Sequence, residues 1–327
     1  MVEISFREGV REVLRTELRR NPHMVVLGEN VATWGGAAGV TLGLVEEFGA
    51  ERVIETPVSE NAIVGQALGA ALGGLSVALE VYSADFLFCA GSEVINDIAK
   101  WRFQHRWEDP IHLVLRMPMA SSGIAAGPEH TQCIEAYLLH TPGLVVVAPG
   151  TVRDAIGTLR AAIGCGDPVI FLEHRRLYDA RQEVGPADVQ GHVVDLGTGC
   201  VVRTGNDVTV VAWAWMRTVA EEAAATLEGR GISVELVDPI TIKPMDTALI
   251  RESVQKTRRL LVVEESPISG SVAAEIIANV VEEGLPIVNA ARVTMPDVPN
   301  PFDPDLEAAL IPSGHKVCSA VERMMAR

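Results

Sequence analysis

Residues Arg52–Gly74, RVIETPVSENAIVGQALGAALGG, read as a short apolar strand and a nearly uncharged helix, with one carboxylate, Glu60, at their junction. Thr56-Pro57 ends the strand Arg52–Glu55, because a residue preceding proline is pushed out of helical geometry. Ser59 then suits an N-cap, which places Glu60 in the first helical turn. The helix dipole there favours an ionised carboxylate, whereas the Ala, Ile, Val and Leu that follow disfavour it by desolvation. An acid at a helix N-terminus is ordinary, so Glu60 alone decides nothing. Gly65, Gly69 and Gly73 recur every four residues and line one helix face. Each costs about 1 kcal/mol against alanine in a helix interior, so the stripe implies a close backbone approach, within the chain or between subunits.

Outward from this unit, helical patterns alternate with short apolar runs. Helix Phe6–Arg20, strand Met24–Leu27, strand Arg52–Ile54, the glycine-striped helix and strand Ser76–Val81 come first. A helix near Glu93–Gln104, strands His112–Arg116 and Leu144–Val147, a helix capped by Thr151 and strand Val169–Leu172 follow. Strand–helix alternation predicts an α/β fold with a doubly wound, mainly parallel sheet covered on both faces. Residues Tyr178–Asp195 are polar, contain Gly185-Pro186 and lack a sustained period, so they read as a linker. A second α/β set begins with strand Val208–Ala212 and ends in helices at Asp305–Leu310 and His315–Met325. The expected division is a first domain at 1–180, a linker at 181–195 and a second domain at 196–327.

The chain has 327 residues, is 48% hydrophobic and only 5% aromatic, which suits two ordinary domains with aliphatic cores. No apolar run approaches the roughly 20 residues of a membrane span, and the first residues, MVEISFRE, lack the apolar segment of a signal peptide. A cytoplasmic protein is expected. The five cysteines are scattered and lack C-x-x-C spacing, against a disulfide framework or zinc site. A net charge of −16 opposes nucleic acid and anionic membranes as general partners.

Four positions could form one cleft. Glu29 follows strand Val25–Leu27, Glu60 follows the next strand, Phe86 lies in EVYSADFLF, and His130 lies in the glycine-rich loop SSGIAAGPEHTQ. Singly they read as a loop carboxylate, a helix-start acid, a core ring and a loop histidine. Together they offer an acid, a stacking surface and a titratable imidazole near strand ends, where open α/β sheets gather ligands. No G-x-x-x-x-G-K-[ST], no strand-linked G-x-G-x-x-G and no G-x-S-x-G is present.

The stretches LGENVATWGGAAGVTLGL, RVIETPVSENAIVGQALGAALGG, PEHTQC, TPGLVVVAPG, DPVIFLEH, VDPITIKPMD and MPDVPNPF, in this order, resemble the β subunits of thiamine-diphosphate-dependent 2-oxo acid dehydrogenases. The resemblance implies a pyrimidine-binding domain, a transketolase-type C-terminal domain, and an α subunit that supplies the diphosphate and Mg²⁺ site. It implies a heterotetramer of two α and two β subunits that oxidatively decarboxylates pyruvate or a branched-chain 2-oxo acid and acylates the lipoyl disulfide of an acyltransferase core. Glu60 would hydrogen-bond the aminopyrimidine ring nitrogen and so activate the coenzyme by proton exchange. Such a carboxylate should be shielded from water. Phe86 would pack on the pyrimidine, Glu29 would stand near the substrate channel, and His130 would hold the substrate carboxylate and assist acyl transfer. A K⁺ ion would take oxygens from Leu113, Ala162, Ile163, Cys165 and Asp167. The chain departs from the family pattern at WRFQHRWEDP and at GPEH. Acetoin dehydrogenase and a catalytically silent scaffolding subunit are therefore the alternatives.

Overall fold

The computed structural model describes residues 1–123 and 126–326, which divide into two compact units. Met1–Met119 with Tyr137–Leu196 form the first, and Ala120–Ala136 with Gly197–Arg327 form the second.

The strands are β1 (Val2–Ser5), β2 (Met24–Glu29), β3 (Val53–Thr56), β4 (Ser76–Glu80), β5 (Leu113–Met119), β6 (Val145–Val147), β7 (Val169–His174), β8 (Arg181–Val184), β9 (Cys200–Arg203), β10 (Val208–Ala212), β11 (Val234–Asp238), β12 (Thr241–Lys243), β13 (Arg259–Pro267) and β14 (Asn289–Met295). In the first unit six of them lie in the order β6-β7-β5-β4-β2-β3, every pair parallel. Strands β2, β4, β5 and β7 are buried along their whole length, which is why they read as continuous apolar runs. Helix Phe6–Arg20 opens with a Ser5/Glu8 capping box and buries Phe6, Val10, Val13, Leu14 and Leu18 along one stripe. It packs on helix Val152–Gly164, which Thr151 caps through the Asp154 N–H.

In the second unit the order is β14-β13-β10-β11-β9, parallel except for β9 at the edge. Helices Ala214–Glu228 and Gly314–Met325 share one apolar core with this sheet, including Leu227, Val263, Val317 and Val321. Helix Thr247–Thr257 packs with helix Val272–Glu282 and against β10 and β13. The fold is α/β with mainly parallel sheets. Among the described residues, no helix is long and apolar enough to cross a membrane.

Two stretches differ from the sequence expectation. Residues 181–195 form structure rather than a linker: β8 pairs antiparallel with β1, and Pro186–Gly191 is a short helix whose Asp188 accepts from the Gly185 N–H at 2.8 Å. Arg160 holds that helix by donating to the carbonyls of His192 (2.6 Å) and Val189 (2.5 Å). Only Val184 of β8 is fully buried, so an edge strand of Arg, Gln and Glu carries no apolar alternation to read. The second stretch, Ala120–Ala136, falls within the expected first domain yet groups with the second unit. Polar bonds fasten it there: the Ser121 N–H to Glu265 (3.0 Å), Asn300 to the Thr131 hydroxyl (2.8 Å) and Trp213 Nε1 to Glu135 (3.2 Å). Gly127 has φ +77°, and a Cβ there would lie 2.2 Å from the Phe302 ring, so only glycine lets the proline-rich tail seat against this loop.

Glu264 on β13 is buried and accepts from the Ala273 N–H at 2.9 Å. Burial, with a lesser push from Glu135, raises its carboxyl from the ordinary 4.5 to about 7. The folded chain therefore holds an extra proton between those values, and this group's contribution to stability is lost as pH rises through them. The expected slope is at most about 1.4 kcal/mol per pH unit. Glu264→Gln should remove it, so urea unfolding at pH 5 and pH 7.5 should show wild type losing roughly 2–3 kcal/mol more than the variant.

Candidate functional site

The C-terminal ends of β2, β3 and β4 converge in the first unit, and three of the four expected site residues stand there. Glu29 is the last residue of β2 and lies beside Thr56 of β3 in the parallel register. Glu60 is the first residue of helix Glu60–Leu72, four positions further on. Phe86 is half-buried in the helical turn Ala84–Ala90 that follows β4 and packs on the Glu60–Leu72 helix. His130 stands in the second unit, exposed, on the turn whose backbone His130 N–H donates to the Gly127 carbonyl at 3.3 Å.

Electrostatics couple the two acids. Glu29 is buried; desolvation first, and then the charge of Glu60, push its carboxyl above the ordinary 4.5. A proton is thus retained more readily on Glu29 than on a free carboxylate, beside an acid facing the same space. Glu60 itself is half-buried in this chain, not shielded as the sequence suggested. Ser59 occupies the N-cap position, but its φ of −170° and ψ of 82° turn the hydroxyl to Asn61 Oδ1 (3.0 Å) instead of to a backbone N–H. Gly65, Gly69 and Gly73 are all exposed, and a Cβ at Gly65 or Gly69 would meet nothing within 4 Å. The stripe therefore packs against nothing among the described residues.

The loop between β2 and β3 is pinned beside these acids by two further carboxylates. Glu55 accepts from the N–H groups of Ala32 (3.0 Å) and Thr33 (2.7 Å), and Glu80 accepts from the Ala37 N–H (2.5 Å). Glu80 in turn belongs to a buried network that sequence reading missed. Arg116, only 1% exposed, donates to Glu80 (2.9 Å) and by two nitrogens to Glu173 (2.7 and 3.0 Å). Burial, and then the Glu173 charge, keep the Tyr178 hydroxyl protonated, and it donates to Glu173 at 2.8 Å. Gly36 is where the loop rests on this network: its φ is +69°, and a Cβ would sit 2.4 Å from Glu80 Oε1. Gly36→Ala should destabilise the chain by roughly 1–3 kcal/mol, measured by urea unfolding, with hydrogen exchange in this loop accelerated at least as much as in the core.

The five residues expected at a K⁺ ion lie around one turn of the first unit. Leu113 starts β5, Ala162 and Ile163 end helix Val152–Gly164, Cys165 follows as its C-cap, and Asp167 precedes β7. The Ala162 and Asp167 carbonyls converge on Cys165 Sγ at 3.4 Å each. Arg102 pairs with the Asp167 side chain at 2.9 Å and donates to the Gly166 carbonyl at 2.8 Å.

Comparison with known proteins shows the family of the chain. Residues 2–181 match the transketolase pyrimidine-binding domain family and residues 197–317 the transketolase C-terminal domain family. A pyruvate dehydrogenase E1 component subunit β from Rhizobium meliloti is 39% identical over 98% of this chain and 70% of its own length. An acetoin:2,6-dichlorophenolindophenol oxidoreductase subunit β from Cupriavidus necator is 35% identical over 99% of this chain and 98% of its own. A solved structure titled as a split-gene transketolase, inactive β4 tetramer, superposes with a TM-score of 0.82 at 24% identity, covering 99% of each chain, which shows the shared fold. With both domain families matched in order and relatives aligned across almost its whole length, the chain belongs to the family of E1 β subunits of the 2-oxo acid dehydrogenases.

Proposed function

We propose that this chain is the β half of a thiamine-diphosphate-dependent enzyme that oxidatively decarboxylates pyruvate or a branched-chain 2-oxo acid and passes the acyl group to a lipoyl arm. The observation that carries the reading is the placement of Glu60 at a helix N-terminus beside the buried Glu29, at the carboxyl ends of parallel strands. Thiamine diphosphate, when bound, would supply a nucleophilic carbon for chemistry at the 2-oxo group. Its aminopyrimidine suits this corner: Glu60 offers a carboxylate to the ring nitrogen, Phe86 offers an aromatic face, and Glu29 keeps a proton close to Glu60. Glu60, fixed at the helix start, would hold or release a proton at that ring nitrogen. His130 would orient the substrate carboxylate and assist transfer to the lipoyl group of the acyltransferase core.

Residues 1–180 would then serve as the pyrimidine-binding domain and 196–327 as the transketolase-type domain of a cytoplasmic enzyme. An α subunit, in an assembly of two α and two β chains, would hold the diphosphate and Mg²⁺. The exposed Gly65 and Gly69 face and the half-buried state of Glu60 support a covering partner, because neither is closed over within its own unit. K⁺ at the Leu113, Ala162, Ile163, Cys165 and Asp167 oxygens belongs to the same reading, in which the Ala162 and Asp167 carbonyls, now accepting from the Cys165 thiol, would turn to the ion.

Acetoin is the second substrate reading, favoured by the Cupriavidus necator relative. Mixing the chain with an α subunit, thiamine diphosphate and Mg²⁺, then following dye reduction with pyruvate, 2-oxoisovalerate and acetoin in turn, tests the reading. Turnover is expected only in the complete mixture and with one substrate preferred. Equal turnover after replacing both Glu60 and His130 would identify a scaffolding subunit instead.

A further inference from the structure

The second unit contains a cavity of about 520 Å³ between the edge strand β14 and helix Gly314–Met325, within the size range of small-molecule sites. Its charged lining is of one sign. Arg292 reaches it from β14 and Lys316 and Arg323 from the helix, with the His315 ring beside them, and no aspartate or glutamate lines it. The chain as a whole carries 43 acidic against 27 basic residues, so an all-cationic cleft runs against its composition. His315, Ser319 and Arg323 follow one another at four-residue spacing, so one stripe of the helix faces the cleft.

The cations have different duties. Lys316 Nζ donates to the carbonyls of Ala309 (2.6 Å), Leu310 (3.0 Å) and Ile311 (2.9 Å), so its three N–H groups are engaged and it contributes a fixed positive field. Arg292 donates through Nη1 to the Ile268 carbonyl at 2.9 Å and more weakly to Ser271 Oγ at 3.4 Å, which anchors its guanidinium at the cleft wall. Arg323 makes no ion pair among the described residues and is exposed. The acids next in sequence to the lining residues Arg323 and Pro296 are committed elsewhere: Glu322 pairs with Arg230, and Asp297 accepts from the Ser269 N–H and hydroxyl. Ile268 and Pro296 supply an apolar wall.

We propose that this cleft binds a phosphate-bearing small molecule, its anionic end on Arg292 and Arg323 and its organic body along Ile268 and Pro296. Planar guanidinium groups match phosphate oxygens in a way that an ammonium does not, and the apolar wall favours an organic phosphate over the bare ion. The site is independent of Glu60 and of the proposed coenzyme corner, so its failure leaves that reading intact.

Calorimetric titration of the full chain at low salt, with adenosine diphosphate and separately with inorganic phosphate, tests it. Saturable binding is expected, weakened at least tenfold in Arg323→Ala and in the His315→Ala/Arg323→Ala pair, and weakened by added salt. Arg323 is exposed, so these variants should keep the wild-type melting temperature, which is recorded alongside. Tighter binding of the nucleotide than of inorganic phosphate supports the proposal; equal or weaker binding of the nucleotide overturns the role given to Ile268 and Pro296 and with it the organic ligand. Absence of saturation with both probes at millimolar concentration, or unchanged binding in the variants, overturns it.

Discussion

Glu60→Gln is expected to abolish turnover of the enzyme reconstituted with its α subunit, thiamine diphosphate and Mg²⁺, while leaving assembly and melting temperature unchanged. The substitution keeps the shape of the side chain at the start of helix Glu60–Leu72 and removes only its ability to exchange a proton. Loss of a positioned acid–base group lowers rate by roughly 10²–10⁴-fold. Because the role is confined to proton movement, kcat should fall while KM for the 2-oxo acid changes little. Glu29 should respond as well: with the neighbouring charge gone, one of the two causes that raise its carboxyl is removed, so its titration should move down towards the ordinary value. Unaltered turnover in a properly assembled variant would reject Glu60 as the proton handle.

Arg116→Met is expected to be the most destabilising single change outside the aliphatic core. It removes the guanidinium that pairs with both Glu80 and Glu173 and leaves two carboxylates, each about 1% exposed or less, in the interior. Removing one partner of a buried ion pair costs about 3–5 kcal/mol, because the remaining charge is uncompensated. The cost should be strongly non-additive. Adding Glu80→Gln and Glu173→Gln to Arg116→Met should recover a large part of the loss, since the three side chains act as one unit. Urea midpoints of the single and triple variants measure this; a single-variant loss below about 1 kcal/mol would contradict the network's role. The damage should extend to the β2–β3 loop, because Glu80 also receives the Ala37 N–H.

That network also marks the limit of what the linear chain discloses. The stretches VALE and FLEH put Glu80 and Glu173 at or near the ends of apolar strands, and LVLR puts Arg116 where the sequence reading ended its strand, so each looked like a routine change to polar sequence, although β5 in fact continues to Met119. Their meaning depends on the order β7-β5-β4, which brings together residues 36 and 57 positions apart, and no local pattern encodes strand order. The buried parallel strands were legible because two covered faces demand unbroken Val, Leu and Ile. The edge pair β1–β8 was not, since Arg181, Gln182 and Glu183 are half in water and carry no such demand.

The candidate site divides in the same way. Glu60 at a helix start and Glu29 at a strand end followed from the Thr-Pro break and from apolar runs of definite length. The burial of Glu29 and its coupling to Glu60 required the β2–β3 register, in which Glu29 lies opposite Thr56. The alignment of Ala120–Ala136, and with it His130, with the second unit rests on long-range bonds from Glu265, Trp213 and Asn300, more than 70 residues away along the chain. The glycine stripe was visible as spacing, but only the structure shows its face to be open on this chain.

The most direct test of the central claim is the rate at which the coenzyme's thiazolium C2 proton exchanges with deuterium in the assembled enzyme without substrate, followed by rapid quench and NMR in wild type and Glu60→Gln, with coenzyme occupancy measured in both. Fast exchange is expected in wild type and a rate at least a hundredfold lower in the variant at equal occupancy. Equal exchange rates in the two enzymes would contradict the claim.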